Sequence, residues 1–332
     1  MKLNKIQSAA YDLIKSDARF IYTLIRIQQN AKRIKSNYMM MSQPYIGIFA
    51  DGAEQWCRKM KLNAPMFSAA DKKYYDAVRQ SHKLLELTYE EYKNKLMGHL
   101  KRSDEHFYKI RGPWQKIFGY WNFGADRCNG KFCGNTIICD MNTPLSVFSD
   151  PECGPKMKKA AEVAGRLAAF FECTKLPPFD FDKSNKTNYK DYNFSKKCPL
   201  KLKNELGFVL FSLLCNINFV IEFIDGIILE EVPQKLKFAY LQYYYLCDFI
   251  DDVNLNNGTS LTLNKSLKNP EFRNCLAHYG LGQFFKNDSE VLNNDILKGL
   301  TNKAFSKDYA DVKEELYMYL KELTAQIEKI LF

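Results

Sequence analysis

The chain has 332 residues, of which 46% are hydrophobic and 14% are aromatic. This length and composition exclude an intrinsically disordered protein and favour two domains, or one large helical body with an appendage. Residues 1–120 contain 22 Lys and Arg against 11 Asp and Glu, whereas the rest of the chain contains 26 against 27. Any attraction for a polyanion should therefore come from the N-terminal part, although a solvated basic helical surface has the same composition.

The first 175 residues are assigned to one basic, helical domain whose role the sequence does not indicate. Apolar residues recur every three or four positions between Leu3 and Lys35, and this spacing predicts a basic amphipathic helix. A second helical stretch is predicted over residues 69–100. Residues 112–154 are rich in Gly, Asn and Cys and predict an irregular region with short strands, and a further helix is predicted over residues 155–173.

Residues 176–200 combine a Pro pair with polar residues and predict a linker or a long ordered excursion. Beyond them, three stripes of apolar residues at helical spacing cover residues 202–224, 236–250 and 312–330. Each set lies on one helix face, so three helices can share a core. The sequence therefore predicts a mainly α protein with a helical bundle at residues 201–332.

Neither a secretory leader nor a membrane span is predicted, so we expect a cytoplasmic protein with reduced thiols. Lys5, Asp12 and Lys15 interrupt the first apolar residues before a leader could form. The uncharged run from Gly207 to Ile221 is shorter than the roughly 20 residues that a bilayer span requires. A buried core helix is the preferred interpretation of this run.

A short helix is predicted within residues 269–282, NPEFRNCLAHYGLG. Asn269 is suited to cap it, Pro270 suits the first helical position, and Gly280 suits a left-handed residue at its end. One side of this helix, formed by Phe272, Leu276 and Tyr279, should dock on the bundle. Another side carries polar groups, because the side chains of Asn274 and His278 are four residues apart and Arg273 can reach around to them.

These polar groups suit chemistry at a phosphodiester. An imidazole can move a proton at neutral pH, an adjacent amide can fix its tautomer, and a guanidinium can hold a phosphate through two hydrogen bonds. RNA is the favoured substrate, because its 2′-hydroxyl supplies an internal nucleophile and no metal is needed. The expected residues are Arg273, Asn274 and His278, and no cofactor is expected.

The spacing R-N-x-x-x-H resembles the R-x4-6-H motif of the HEPN superfamily (higher eukaryote and prokaryote nucleotide-binding domains). The likeness covers residues 201–332, with long helices before the motif and a closing helix after it. It implies a homodimer in which two motifs form one composite endoribonuclease site, leaving a 2′,3′-cyclic phosphate. Arg273 would stabilise phosphate charge, Asn274 would assist it, and His278 would transfer or position a proton.

The resemblance also implies a biological setting and an alternative. Members of this superfamily occur in toxin–antitoxin, antiviral defence and CRISPR-linked systems, so an antitoxin or regulatory protein is an expected partner. Other members are non-catalytic modules that bind a partner protein or a nucleotide. A purely structural interpretation is also open, in which His278 is an interhelical histidine and Arg273 pairs with a carboxylate such as Asp248, Asp251 or Asp252.

Two further clusters have a functional and a structural interpretation. Four cysteines could close a zinc site, but their spacing contains no C-x2-C pair and favours free thiols: Cys128, Cys133, Cys139 and Cys153. The segment Lys101–Trp121 interleaves cations with Phe107, Tyr108, Trp114, Phe118, Tyr120 and Trp121. Such rings could stack single-stranded bases, but a place in the core is the preferred interpretation.

Overall fold

The computed structural model describes residues 3–30, 37–143, 153–179, 187–279 and 284–332. Helix predominates, at 69% of the structure, and a small sheet accompanies it. The prediction of a mainly α fold is therefore confirmed.

The N-terminal part contains eight of the described helices and two strands of the sheet. Its helices are α1 (Lys5–Asn30), α2 (Asn37–Met41), α3 (Gln43–Lys59), α4 (Ala69–Gln80), α5 (Tyr89–Ile110), α6 (Pro113–Phe118), α7 (Thr136–Asn142) and α8 (Cys153–Phe170). The single helical stretch predicted over residues 69–100 is wrong, because a 3₁₀ turn at Ser81–Glu86 separates α4 from α5. The break has a local cause: Thr88 and Glu91 form a capping box that starts a new helix.

The sheet has three antiparallel strands in the order β2-β1-β3. These are β1 (Phe123–Cys128), β2 (Lys131–Asn135) and β3 (Thr187–Tyr192). The first two lie in the Cys-containing region where short strands were predicted. The third comes from residues 176–200, so part of that stretch is an ordered strand paired along the whole of β1.

The C-terminal part contains the three predicted long helices and two shorter ones. They are α9 (Glu205–Asn218), α10 (Pro233–Asn257), α11 (Pro270–His278), α12 (Ile296–Phe305) and α13 (Tyr309–Leu331). The helices α9, α10 and α13 contact one another, as the apolar stripes predict. Asn204 caps the first of them, and Gly258, with a left-handed φ of 62°, ends the second.

The helix α9 continues through a π-helical turn, Phe219–Ile224, to Ile227. The segment Glu205–Ile227 is long and apolar enough to cross a membrane, but 89% of its apolar window is buried inside the protein. This burial is typical of the core helix of a soluble protein and agrees with the predicted interpretation of the uncharged run.

The buried side chains form one continuous hydrophobic cluster that includes residues from both halves of the chain. The helix α1 packs on α10 and α12, and α9 packs on β2. The division into residues 1–175 and 201–332 stays a prediction. In either case the two parts share a buried interface, which brings N-terminal side chains beside α11.

Candidate functional site

The short helix α11 carries the predicted motif. The side-chain Oδ1 of Asn269 accepts a hydrogen bond from the Phe272 N–H at 2.9 Å, and Pro270 takes the first helical position, as predicted. The left-handed residue after the helix is Tyr279, at a φ of 55°, rather than the predicted Gly280. Gly280 itself lies outside the described residues.

The predicted docking side of α11 is buried. Phe272, Leu276 and Tyr279 are almost fully enclosed. The Phe272 ring meets the Tyr240 ring edge-on at 4.5 Å between centroids, and the Tyr240 hydroxyl accepts a hydrogen bond from the Asn269 N–H at 2.9 Å. These contacts fix both the start of the helix and its rotation about its axis, and so they determine where the polar side points.

The guanidinium of Arg273 lies in a partly covered position, with 18% of the side chain exposed. Its Nη1 donates to Asn274 Oδ1 at 2.8 Å, and its Nη2 lies 3.4 Å from Glu86 Oε1. It also lies 5.0 and 5.2 Å from the ring centroids of Tyr244 and Tyr245, within the range of cation–π attraction. The amide predicted to fix the imidazole therefore contacts the guanidinium.

The acidic partners considered for Arg273 at the end of α10 are wrong. Asp248 pairs with Lys268 at 2.5 Å, and Asp251 pairs with Lys265. Asp252 accepts a hydrogen bond from the backbone of Tyr89. The carboxylate that reaches Arg273 comes instead from Glu86, 187 residues earlier in the chain.

The imidazole of His278 is exposed at the end of α11. Partial shielding from water lowers its pKa, and the positive charges of Arg79 and Arg273 lower it further, while Asp51 acts in the opposite direction. The net effect lowers the pKa of His278 and so favours the neutral form of the ring. A neutral imidazole can accept a proton, which is the role that base catalysis requires.

The N-terminal part supplies cations to this site. Arg79, which is paired with Asp51, and Lys83, which lies 3.8 Å from Glu86, both act on the pKa of His278. We define the cationic site by Arg79, Lys83, Arg273 and His278. An RNA substrate requires positive charge, and residues 201–332 are not basic by themselves. The N-terminal arginine and lysine supply cations that this segment lacks.

No sequence pattern singled out Arg79, Lys83 or Glu86. The polar helical surroundings of His82, His99 and His106 predict exposed side chains. His82 is partly buried and its ring meets that of Tyr245 at 5.9 Å between centroids. Burial lowers the pKa of His82 to about 4. His99 is also buried, 2.5 Å from Asp140, so the prediction of an exposed ring holds only for His106. The basic bias of residues 1–120 was the one signal that pointed to such cations.

The cysteines of the zinc alternative include three buried thiols, Cys128, Cys133 and Cys139. Burial raises the pKa of Cys133 well above its usual value, which opposes the thiolate that zinc would need. The side chain of Cys153 lies outside the described residues. Within the described part of the chain, no group of three or more His, Cys, Asp or Glu could hold a metal.

The preferred interpretation of Lys101–Trp121 as core is wrong for most of its rings. Tyr108, Trp114, Phe118 and Trp121 are exposed. They lie on the last turn of α5, on α6 and just beyond it. The core behind them is filled by β1 and α9 instead, through Phe123, Phe208 and Phe211.

No protein-family model, no curated protein and no solved structure matches the chain. The resemblance to the HEPN superfamily therefore depends on the motif from Arg273 to His278 and on the helices around it.

Proposed function

We propose that the chain is a metal-independent endoribonuclease of HEPN type. The single observation that carries the proposal is an exposed imidazole, His278, close enough to the guanidinium of Arg273 for that charge to lower its pKa. A neutral imidazole can take the proton of the ribose 2′-hydroxyl, and the guanidinium can stabilise the charge of the phosphorane. The 2′-oxygen then attacks the adjacent phosphorus, and the bond between the phosphorus and the 5′-oxygen breaks. The leaving 5′-oxygen takes up the proton from the imidazolium, so the products are a 2′,3′-cyclic phosphate and a 5′-hydroxyl.

The other cations of the site support the same proposal. Arg79 and Lys83, which are paired with Asp51 and Glu86, place two further cations near enough to His278 to act on its pKa. Asn274 holds one arm of the guanidinium, which limits its freedom before substrate binds. In the proposed enzyme, Asn274 is thus a positioning residue for Arg273.

The proposal extends to assembly and setting. We propose a cytoplasmic homodimer in which two copies of α11 face each other and form a composite site, held in check by an antitoxin or regulatory protein in a defence or toxin system. Sedimentation analysis of the purified protein tests the dimer, since a monomer at micromolar concentration would contradict it.

Cleavage is tested by incubating the protein with RNA in EDTA. We expect His278→Ala to reduce the rate by at least about 100-fold, which is the usual contribution of general acid–base catalysis. Arg273→Ala should also reduce it, whereas Arg58→Ala, a change at an exposed arginine of α3, should not. Cleavage that survives both site substitutions would refute the proposal.

The second candidate is a non-catalytic HEPN-like module that binds a partner protein or nucleotide. The contact of Arg273 with Glu86, together with its cover of tyrosine rings, favours this candidate, because the guanidinium is already engaged. It predicts no RNA cleavage in any condition and a His278→Ala variant that keeps partner binding.

A further inference from the structure

An exposed aromatic surface lies far from the cationic site. The helix α5 starts next to the turn that carries Glu86 and ends beside α6, so its 22 residues separate the two places by about 33 Å. Trp114 and Phe118 on α6 are 73% and 69% exposed, and their rings are nearly parallel, at 14°. Single exposed apolar side chains are common, but several exposed rings at one place on a surface, two of them stacked, are typical of a binding surface.

Cations lie directly against these rings. The Lys116 ammonium is 4.4 Å from the Tyr108 ring centroid, and the Arg111 guanidinium is 4.7 Å from that of Trp121. Each pair offers a flat aromatic face next to a positive charge. An unpaired base with its phosphate needs both, because the base stacks on the ring and the phosphate pairs with the cation.

A groove of about 670 Å³ adjoins the rings. Trp121 forms part of its wall, and Gly119, with a φ of 105°, makes the turn that brings the chain there from α6. Its charged lining residues are four cations and one acid: Arg127, Lys190, Lys196, Lys197 and Asp191. The groove is therefore positively charged and continuous with the aromatic surface.

We infer that this aromatic surface and its groove bind single-stranded nucleic acid. The phosphates lie along the groove, and the bases stack on the rings of Trp114, Phe118 and Trp121. Duplexes are excluded from this mode because their bases are already stacked on one another and present no free face. The inference does not depend on cleavage at His278.

An anionic membrane is the competing occupant, since exposed Ile110 and Ile117 lie among the rings. A membrane-bound helix inserts a convex apolar face and leaves its charges at the rim. Here the charges line a concave groove with polar walls that include Asn188 and Asn193. A concave, charged groove would not contact a lipid bilayer, whereas it can hold the phosphate backbone of a nucleic acid.

The test measures binding of a fluorescent 12-nucleotide oligo(dT) by anisotropy. This probe has no 2′-hydroxyl, so it cannot be cleaved by the proposed chemistry and reports binding alone. We expect the full chain to bind it more tightly than a duplex of 12 base pairs, with log K falling against log salt at a slope of about −3 for four phosphates.

The variants separate the two parts of the surface. Trp114→Ala with Phe118→Ala should weaken binding at least tenfold, and Lys196→Glu with Lys197→Glu should weaken it and flatten the salt dependence. Matched controls are Leu255→Ala, which removes another exposed apolar side chain, and Lys298→Glu, which reverses an exposed charge; both should bind as the parent does.

Two outcomes would overturn the inference. One is that the parent protein does not bind oligo(dT), or that both double variants bind it as tightly as the parent does. The other is loss of co-sedimentation with phosphatidylserine vesicles in the Trp114 and Phe118 variant while oligo(dT) binding persists, which would assign the surface to a membrane. Loss of RNA cleavage in His278→Ala with oligo(dT) binding intact would leave the inference supported, because the two activities use different residues.

Discussion

A buried ion pair between Asp17 of α1 and Lys237 of α10 joins the two halves of the chain. Lys237 Nζ lies 2.5 Å from Asp17 Oδ2, and neither side chain is exposed to solvent. Gln234 Nε2 donates to the other carboxylate oxygen at 2.7 Å. The ammonium also lies 4.2 Å from the ring centroid of Tyr279, the residue that follows His278. The pair therefore holds the end of the site helix as well as the core.

Removing one partner should destabilise the protein strongly. Burial lowers the pKa of Lys237, and Asp17 acts against that shift by favouring the charged form. Lys237→Met leaves the carboxylate buried without its counter-ion, and breaking such a pair costs about 3–5 kcal/mol. This is a large share of the roughly 5–15 kcal/mol by which native domains are stable.

Replacing both partners should restore most of the loss. The double variant Asp17→Leu, Lys237→Met leaves no buried charge, and similar replacements elsewhere are often close to neutral. The control is Lys268→Met, which removes an ammonium from an exposed pair with Asp248 and should cost less than about 1 kcal/mol.

Urea unfolding at pH 7 measures these differences, with circular dichroism and the fluorescence of buried Trp56 as probes. A decrease of less than about 1 kcal/mol in the free energy of unfolding of Lys237→Met would refute the reasoning, because an unpaired buried carboxylate destabilises a protein by more than that. A double variant as unstable as the single one would show that packing around the pair, and not its charge, determines the cost.

Three further predictions follow from the surroundings of the site. Burial lowers the pKa of His82 to about 4, so the unfolded chain binds a proton at this residue more readily than the folded protein does. The free energy of unfolding should therefore be unaffected by His82 above pH 6.5 and should fall by up to about 3 kcal/mol as the pH is lowered toward 4. Urea midpoints at pH 7 and 4.5 measure the loss, which should be smaller in His82→Gln. Gly52→Ala should cost about 1–3 kcal/mol by thermal unfolding, since the added Cβ would lie 2.7 Å from Tyr279 Cε2, whereas Gly98→Ala meets no atom and should not destabilise. Glu86→Gln should tighten RNA binding severalfold in filter-binding assays on a His278→Ala background, because it frees the charge of Arg273, and unchanged affinity would exclude Glu86 as a restraint.

Local signals predicted the site helix well. The cap by Asn269, the proline at the first position and the buried face with Phe272 and Leu276 could all be read from the sequence. These features depend on contacts between residues three or four apart, so the chain carries them wherever the helix is placed. The identity of the partners around Arg273 was not predictable in this way.

The sequence by itself determined the helical class, the capped helix and the order of Arg273, Asn274 and His278 along it. Only the tertiary structure decided that Glu86 reaches this helix, that Asp17 is buried against Lys237, and that Trp114 faces solvent. The physical reason is one of range. Capping and periodicity act within a turn or two of helix, whereas burial and ion pairing depend on which distant segments pack together, and a charged or aromatic residue has the same local signature in either environment.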